Sequence, residues 1–169
     1  MTMRGGLQTA AFALGLLLIA AAPIVADSPQ LKVTGMTFVA SRGERTELVV
    51  RAAHAEYFPD TDQAQLEEVH ATAESKDRKR VLDLTCERGQ LDLASNDFRA
   101  EGRVTGSTGS GRRFVAPWVE YDHEVGLLFT DAPVLITEGA VTFRGGGFLY
   151  YVRESRFVLK GGASVVQEP

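Results

Sequence analysis

Beyond Ala26 the chain carries almost no helical periodicity. Short apolar–polar alternations follow one another, separated by Gly, Asn, Asp or Pro. That period-two pattern predicts half-buried strands bounded by turns. The runs place strands at 34–40, 47–51, 55–57, 66–74, 81–87, 89–93, 97–106, 113–116, 118–122, 127–130, 133–138, 140–145, 148–152, 156–160 and 163–167. One helical turn fits 62–69.

Two stretches repeat. Val50–Tyr57 reads VRAAHAEY and Phe114–Tyr121 reads FVAPWVEY, with Ala52 matching Ala116, Glu56 matching Glu120 and Tyr57 matching Tyr121. In both, the small or apolar residue falls at positions one, three, six and eight, where strict alternation gives one, three, five and seven. Each copy therefore slips phase once, at Ala53–His54 and at Pro117–Trp118, which predicts a bulge or bend. Pro117 also lacks a ladder donor, which suits a bend. A looser unit, Phe114…Tyr121…Leu127…Val134, resembles Phe143…Tyr150…Phe157…Val165, and Val81…Cys86…Leu91…Phe98…Val104 has similar spacing. The chain reads as about four hairpin-like units of roughly thirty residues, stacked into an all-β fold. The glycines at 145–147 and 161–162 then read as turns and bends between rungs. A phosphate loop would need Lys, Ser or Thr and a helix after its glycines; Phe148–Val152 is aromatic and branched instead.

Composition narrows the function classes. A chain of 169 residues supports one domain of roughly 140 once the N-terminus is set aside. A net charge of −4 provides no basic field for nucleic acid; Lys76–Arg80 (KDRKR) reads as a charged turn. Met1–Gln8 carries one cation, Arg4, and no acid, and the seventeen residues Ala10–Ala26 carry no charge. Residues 1–27 thus predict a secretory signal peptide or a short membrane anchor, with Arg4 left inside and the rest exported. No Cys ends the apolar run, so lipoprotein processing is not expected. Cys86, the only cysteine, lies in phase with Leu82 and Leu84 and reads as a buried strand thiol.

Polar chemistry is sparse. His54, His70 and His123 fall in different units, and Asp122–His123–Glu124 sits in a predicted hairpin turn rather than at metal-ligand spacing. Glu67–Glu68 reads as a solvated pair, no G-x-S-x-G elbow is present, and Gly106–Arg113 (GSTGSGRR) leads into a strand. No enzyme, cofactor or metal is predicted. The apolar face is the unusual feature. One side of the sheet should carry Val50, Ala52, Tyr57, Leu66, Leu82, Leu84, Leu91, Leu93, Phe98, Val104, Phe114, Ala116, Tyr121, Ile136, Phe143, Phe148, Tyr150 and Phe157. These residues either fill a sandwich core or line a trough between splayed halves.

The order of four segments carries a resemblance: LVVRAAHAEY (48–57), LDLTCERGQLDL (82–93), the run FRAEGRVTGSTGSGRRFVAPWVEYDHEVGLLFTDAPVLI (98–136) and VTFRGGGFLYYVRESRFVLKGGASVV (141–166). From Leu31 to Gln167 the chain resembles the lipopolysaccharide-export family of periplasmic bridge proteins, the LptC type most of all, with LptA-type (OstA-like) relatives. The resemblance implies a single twisted β-jellyroll over 31–169, V-shaped in section, of stacked antiparallel strands. It implies a groove for the acyl chains of lipopolysaccharide, formed by Val50, Ala52, Tyr57, Leu84, Leu93, Phe98, Phe114, Ala116, Tyr121, Ile136, Phe143, Phe148 and Tyr150. It implies head-to-tail docking. The N-terminal edge, with Val33 and Phe38, would meet the inner-membrane lipopolysaccharide ABC transporter. The C-terminal edge, with Phe157, Leu159 and Val165, would meet a bridge protein of the same fold. The place implied is the periplasm of a Gram-negative bacterium, with residues 10–26 as an inner-membrane anchor if retained. Cleavage would give a soluble LptA-like unit instead. A glycan-binding or purely structural β-sandwich without lipid is the alternative from another class; its aromatic platforms are scarce, since the single Trp118 falls on the phase opposite to the proposed interior.

Overall fold

The structure, a computed structural model, describes residues 30–43, 45–74 and 80–167. The signal or anchor stretch 1–27 and most of the KDRKR turn lie outside the described residues. The fold is all-β: β1 (Leu31–Arg42), β2 (Arg45–Phe58), β3 (Gln63–Glu74), β4 (Arg80–Asp92), β5 (Phe98–Thr108), β6 (Arg113–Asp122), β7 (Leu127–Thr130), β8 (Val134–Glu138), β9 (Val141–Tyr151) and β10 (Arg156–Gln167), with a 3₁₀ turn at Val152–Glu154. All ten strands belong to one antiparallel sheet in the order β1-β2-β3-β4-β5-β6-β7-β9-β10. β7 and β8 share a single rung, because each pairs with β6 on one side and β9 on the other. β1 and β10 are the two edges.

Several predicted runs fuse. The pairs 47–51 and 55–57, 81–87 and 89–93, 113–116 and 118–122, 140–145 and 148–152, and 156–160 and 163–167 are halves of β2, β4, β6, β9 and β10. The helical turn expected at 62–69 does not form. Ala64 and Leu66 are buried while Gln65 and Glu67 are exposed, so the period is two, and the segment pairs with β2 and β4. The glycines at 145–147 are not a corner either; they run within β9. A side chain at Gly147 would strike the backbone of Thr130 and Asp131, so glycine there lets β9 pass close to the β7–β8 junction. Gly161 and Gly162, with φ of +75° and +79°, do form a bulge inside β10.

The phase slip predicted in β2 and β6 recurs along the sheet. Buried positions run Leu48, Val50, Ala52 and then Ala55 in β2; Leu66 and then Val69 in β3; Leu84, Cys86 and then Gly89 in β4; and Ala116 and then Val119 in β6. In β5 the register slips between Glu101 and Val104, where Gly102 and Arg103 have φ of +76° and +41°. Gly35 in β1 and Glu68 in β3, both at positive φ, flank Ala53 on the same line. These slips lie side by side and form a crease across the sheet. A slip swaps which residues face inward, so each long strand serves two half-sheets. Half-sheet one contains 48–52, 69–73, 82–86, 104–108, 113–116 and β8. Half-sheet two contains 55–58, 63–66, 89–92, 98–101, 119–122, β7 and 148–151.

The two half-sheets face each other. The rings of Phe114 and Phe148, one from each, lie 4.9 Å apart, and the Tyr150 hydroxyl donates across to the Val81 carbonyl at 2.8 Å. Leu48, Leu66, Leu84, Leu91, Leu128, Phe98, Phe114 and Phe148 are fully buried between them. Each such side chain contributes about 1.5–3 kcal/mol by leaving water, so this apolar interior supplies most of the attraction between the halves. Opposite the crease, at what we call the mouth, the β1–β2 turn meets the β6–β7 turn through Arg42, and the 3₁₀ turn packs on β3.

Candidate functional site

Ten of the thirteen expected groove residues converge between the half-sheets. Val50, Ala52, Leu84, Phe98, Phe114, Ala116, Tyr121, Ile136, Phe148 and Tyr150 are each no more than 6% exposed. Tyr57, Leu93 and Phe143 are half-buried at the margin; Leu93 and Phe143 pack against the core, and the Tyr57 hydroxyl donates to Asp62 at 2.8 Å. The five expected edge residues separate by depth. Val33 and Phe38 on β1, and Phe157 and Leu159 on β10, are half-buried against the core, whereas Val165 is 58% exposed.

Aromatic rings connect interior to edge. Phe114 lies against Phe148 at 4.9 Å and 54°. Phe148 stacks on Phe157 at 4.9 Å and 25°, and Tyr150 meets Phe157 at 5.7 Å. Such pairs are worth about 0.5–1.5 kcal/mol beyond their buried area. They form an unbroken apolar path from the centre of the fold to β10. Trp118 lies on the outer face, edge-on to Phe129 at 6.5 Å and beneath Arg99 at 4.6 Å.

The interior is electrically quiet. Burial pushes the Cys86 thiol up to about 11 and the Tyr121 phenol up to about 12, so both are neutral at physiological pH. Burial also raises Tyr150, whose hydroxyl is satisfied by the Val81 carbonyl. Among the described residues no group of three or more His, Cys, Asp or Glu could hold a metal ion. A cavity of about 600 Å³ does lie along β1–β5, but it is lined by Lys32, His54, Glu67, Arg88, Arg99 and Glu101 among others. Cations and carboxylates are interspersed along it, and the core residues Ala55 and Leu66 also border it.

Pattern reading missed the polar cluster at the mouth. Arg42, Glu47, His123 and Arg153 meet there from four separate segments. His123 stood out only as part of an acid–His–acid triplet in a turn, and it does sit in the β6–β7 turn. Glu47 and Arg153 are 106 residues apart, and no local pattern joins them.

A creased antiparallel sheet folded around an apolar interior, with β1 and β10 as its unpaired edges, defines the class of fold. The chain belongs to the lipopolysaccharide-assembly, LptC-related family, whose model matches residues 21–168. Members of that family are periplasmic components of lipopolysaccharide transport in Gram-negative bacteria. The fold is similar to the crystal structure of LptH, the LptA homologous periplasmic component of the conserved lipopolysaccharide transport device from Pseudomonas aeruginosa. The TM-score is 0.57 at 13% sequence identity, covering 72% of this chain and 95% of that one. At that identity the likeness concerns the fold alone. No curated protein sequence matches the chain. Among the described residues no helix is long and apolar enough to cross a membrane.

Proposed function

We propose that this chain is a passive bridge segment of lipopolysaccharide export, holding lipid A acyl chains between its half-sheets while the sugars stay in solvent. In this reading the creased sheet over 31–169 is a β-jellyroll, V-shaped when open, and residues 1–27 export or anchor it. The observation that carries the proposal is the ring path from Phe114 through Phe148 to Phe157, which extends the apolar interior to a free sheet edge. Each methylene left in water costs about 0.8 kcal/mol, so an acyl chain of about twelve carbons needs continuous apolar cover to cross an aqueous compartment. Such cover removes the cost without supplying drive. The sequence has no phosphate-loop motif, so ATP hydrolysis belongs to the inner-membrane transporter. The β1 edge, with Val33 and Phe38, would face that transporter. The β10 edge, with Phe157, Leu159 and Val165, would extend the sheet of a bridge protein of the same fold by strand addition.

Photo-crosslinking in cells tests the reading. A probe at Phe114, Tyr121 or Phe148 should capture lipopolysaccharide, while one at the outward Glu120 should not. Absence of adducts at all three inward sites in folded, exported protein would reduce the interior to a closed core. The mass of the mature protein separates an anchored form that retains residues 10–26 from a soluble LptA-like one.

A further inference from the structure

The half-sheets are continuous through the crease, so they can part only at the mouth. Most contacts between them are apolar. An incoming acyl chain replaces such contacts with equivalent ones, so they oppose opening weakly once a ligand is present. Polar contacts at the mouth have no such substitute. Arg42, at the end of β1, donates to the carbonyls of His123 and Glu124 at 3.3 and 3.2 Å. Arg153, in the 3₁₀ turn, donates to the carbonyls of His123, Glu124 and Val125 at 2.6, 2.9 and 3.0 Å. Both guanidinium groups also reach one carboxylate, Glu47 at the start of β2, at 3.3 and 3.4 Å.

The remaining groups heighten the dependence on that carboxylate. The His123 imidazole lies 4.0 Å from Glu47 and is buried, with its Nδ1 unpartnered, as is Nε of Arg153. Asp97 accepts the His123 backbone N–H at 2.9 Å, the Asp122 carboxylate accepts the Val125 N–H at 2.9 Å, and the neutral Tyr121 ring lies beside the imidazole at 6.2 Å. The Glu47 side chain is only 17% exposed, unlike the surface pair Lys160–Asp131 at 44% and 63%. Charge-assisted bonds at partly buried positions are the strong ones, and surface pairs contribute little.

We propose that Glu47, shared by Arg42 and Arg153, is the central acceptor of an ionic latch that holds the half-sheets closed at the mouth, and that releasing it opens the interior. That acyl chains then enter rests on the function proposed above.

The experiment uses the full chain in a Cys86→Ala background, spin-labelled at Val39→Cys and Val125→Cys, both exposed positions on opposite sides of the mouth. Wild type should give one narrow distance by double electron–electron resonance. Glu47→Gln should add a longer population, roughly tenfold larger than any in wild type. Arg42→Gln, at a half-exposed side chain, should shift the distribution the same way by less. Asp131→Asn, which breaks the surface pair, should leave it unchanged. Uptake of a fluorescent dodecanoyl probe should accelerate in step with the longer population. Distributions in Glu47→Gln and Arg42→Gln that superimpose on wild type would overturn the latch. A longer distance without probe uptake would uphold the latch and sink the conduit reading instead.

Discussion

At the crease, strands run unbroken from one half-sheet into the other. At the mouth, Arg42 from the same hairpin and Arg153 from the far end of the chain reach a single carboxylate, Glu47. The crease is made of backbone: slips of register, glycines and a few residues in the left-handed region. Its strength is distributed over neighbouring rungs, so no one side chain controls it. The mouth is made of side chains, and few of them. A hinge that runs through continuous strands therefore sits opposite a closure of few side chains, with Glu47 at its centre and Arg42 also bonding directly across to the His123 and Glu124 carbonyls. The apolar interior between them serves both, holding the halves together while remaining exchangeable for another apolar occupant.

Substitutions separate these contributions. Phe148→Ala removes a ring that touches both Phe114 and Phe157; it should cost about 4 kcal/mol in chemical denaturation and weaken crease and mouth alike. Gly147→Ala acts at the crease, since its methyl group meets backbone that cannot swing aside. We expect about 3 kcal/mol, with amide exchange accelerated at the β7–β9 pairing and not at the β1–β2 hairpin. Glu47→Gln should cost about 2 kcal/mol and show the reverse exchange pattern.

Acidification should reach the mouth before the crease. Burial, which outweighs the attraction of Glu47, holds the His123 pKa below its ordinary 6.5. The neutral ring is therefore favoured in the fold. Its contribution is present above pH 6.5 and is lost as pH falls through the lowered value, because the unfolded chain binds the proton first. A denaturation midpoint that falls less steeply below pH 6.5 in His123→Gln than in wild type would confirm this; identical slopes would contradict it. The smallest effect belongs to Asp131→Asn, with a stability change of at most about 0.5 kcal/mol.

Much of the crease was readable in the sequence. The offset in VRAAHAEY and FVAPWVEY marks it in β2 and β6 directly. In β4 and β9 the same offset looked like a gap between separate strands, because alternation that changes phase resembles alternation that stops. The stretch 62–69, where one helical turn was expected, is strand, and its buried residues Leu66 and Val69 fall three apart because the phase slips between them. The inward set was also readable, since alternation reports which side of a strand meets apolar neighbours. How far apart the two inward faces stand is a different quantity, and no strand encodes it alone. The mouth was not readable at all. Glu47 is one acid within TELVV, and its partner Arg153 follows an apolar run at the other end of the chain. Only the closing of the sheet brings them together.

The two edges differ, and that difference sets how copies could associate. β1 exposes Leu31 and Val39, and β10 exposes Val165. If β1 of one copy added to β10 of another, the contact would be heterologous, and every addition would leave the same two free ends. Unless the rotation between copies closes the row into a ring, no subunit is the last. Row length would follow concentration and the supply of a terminating partner that presents only one compatible edge. The bulge at Gly161–Gly162 and the left-handed Gly35 interrupt both edges partway along, which shortens the usable ladder and works against runaway growth.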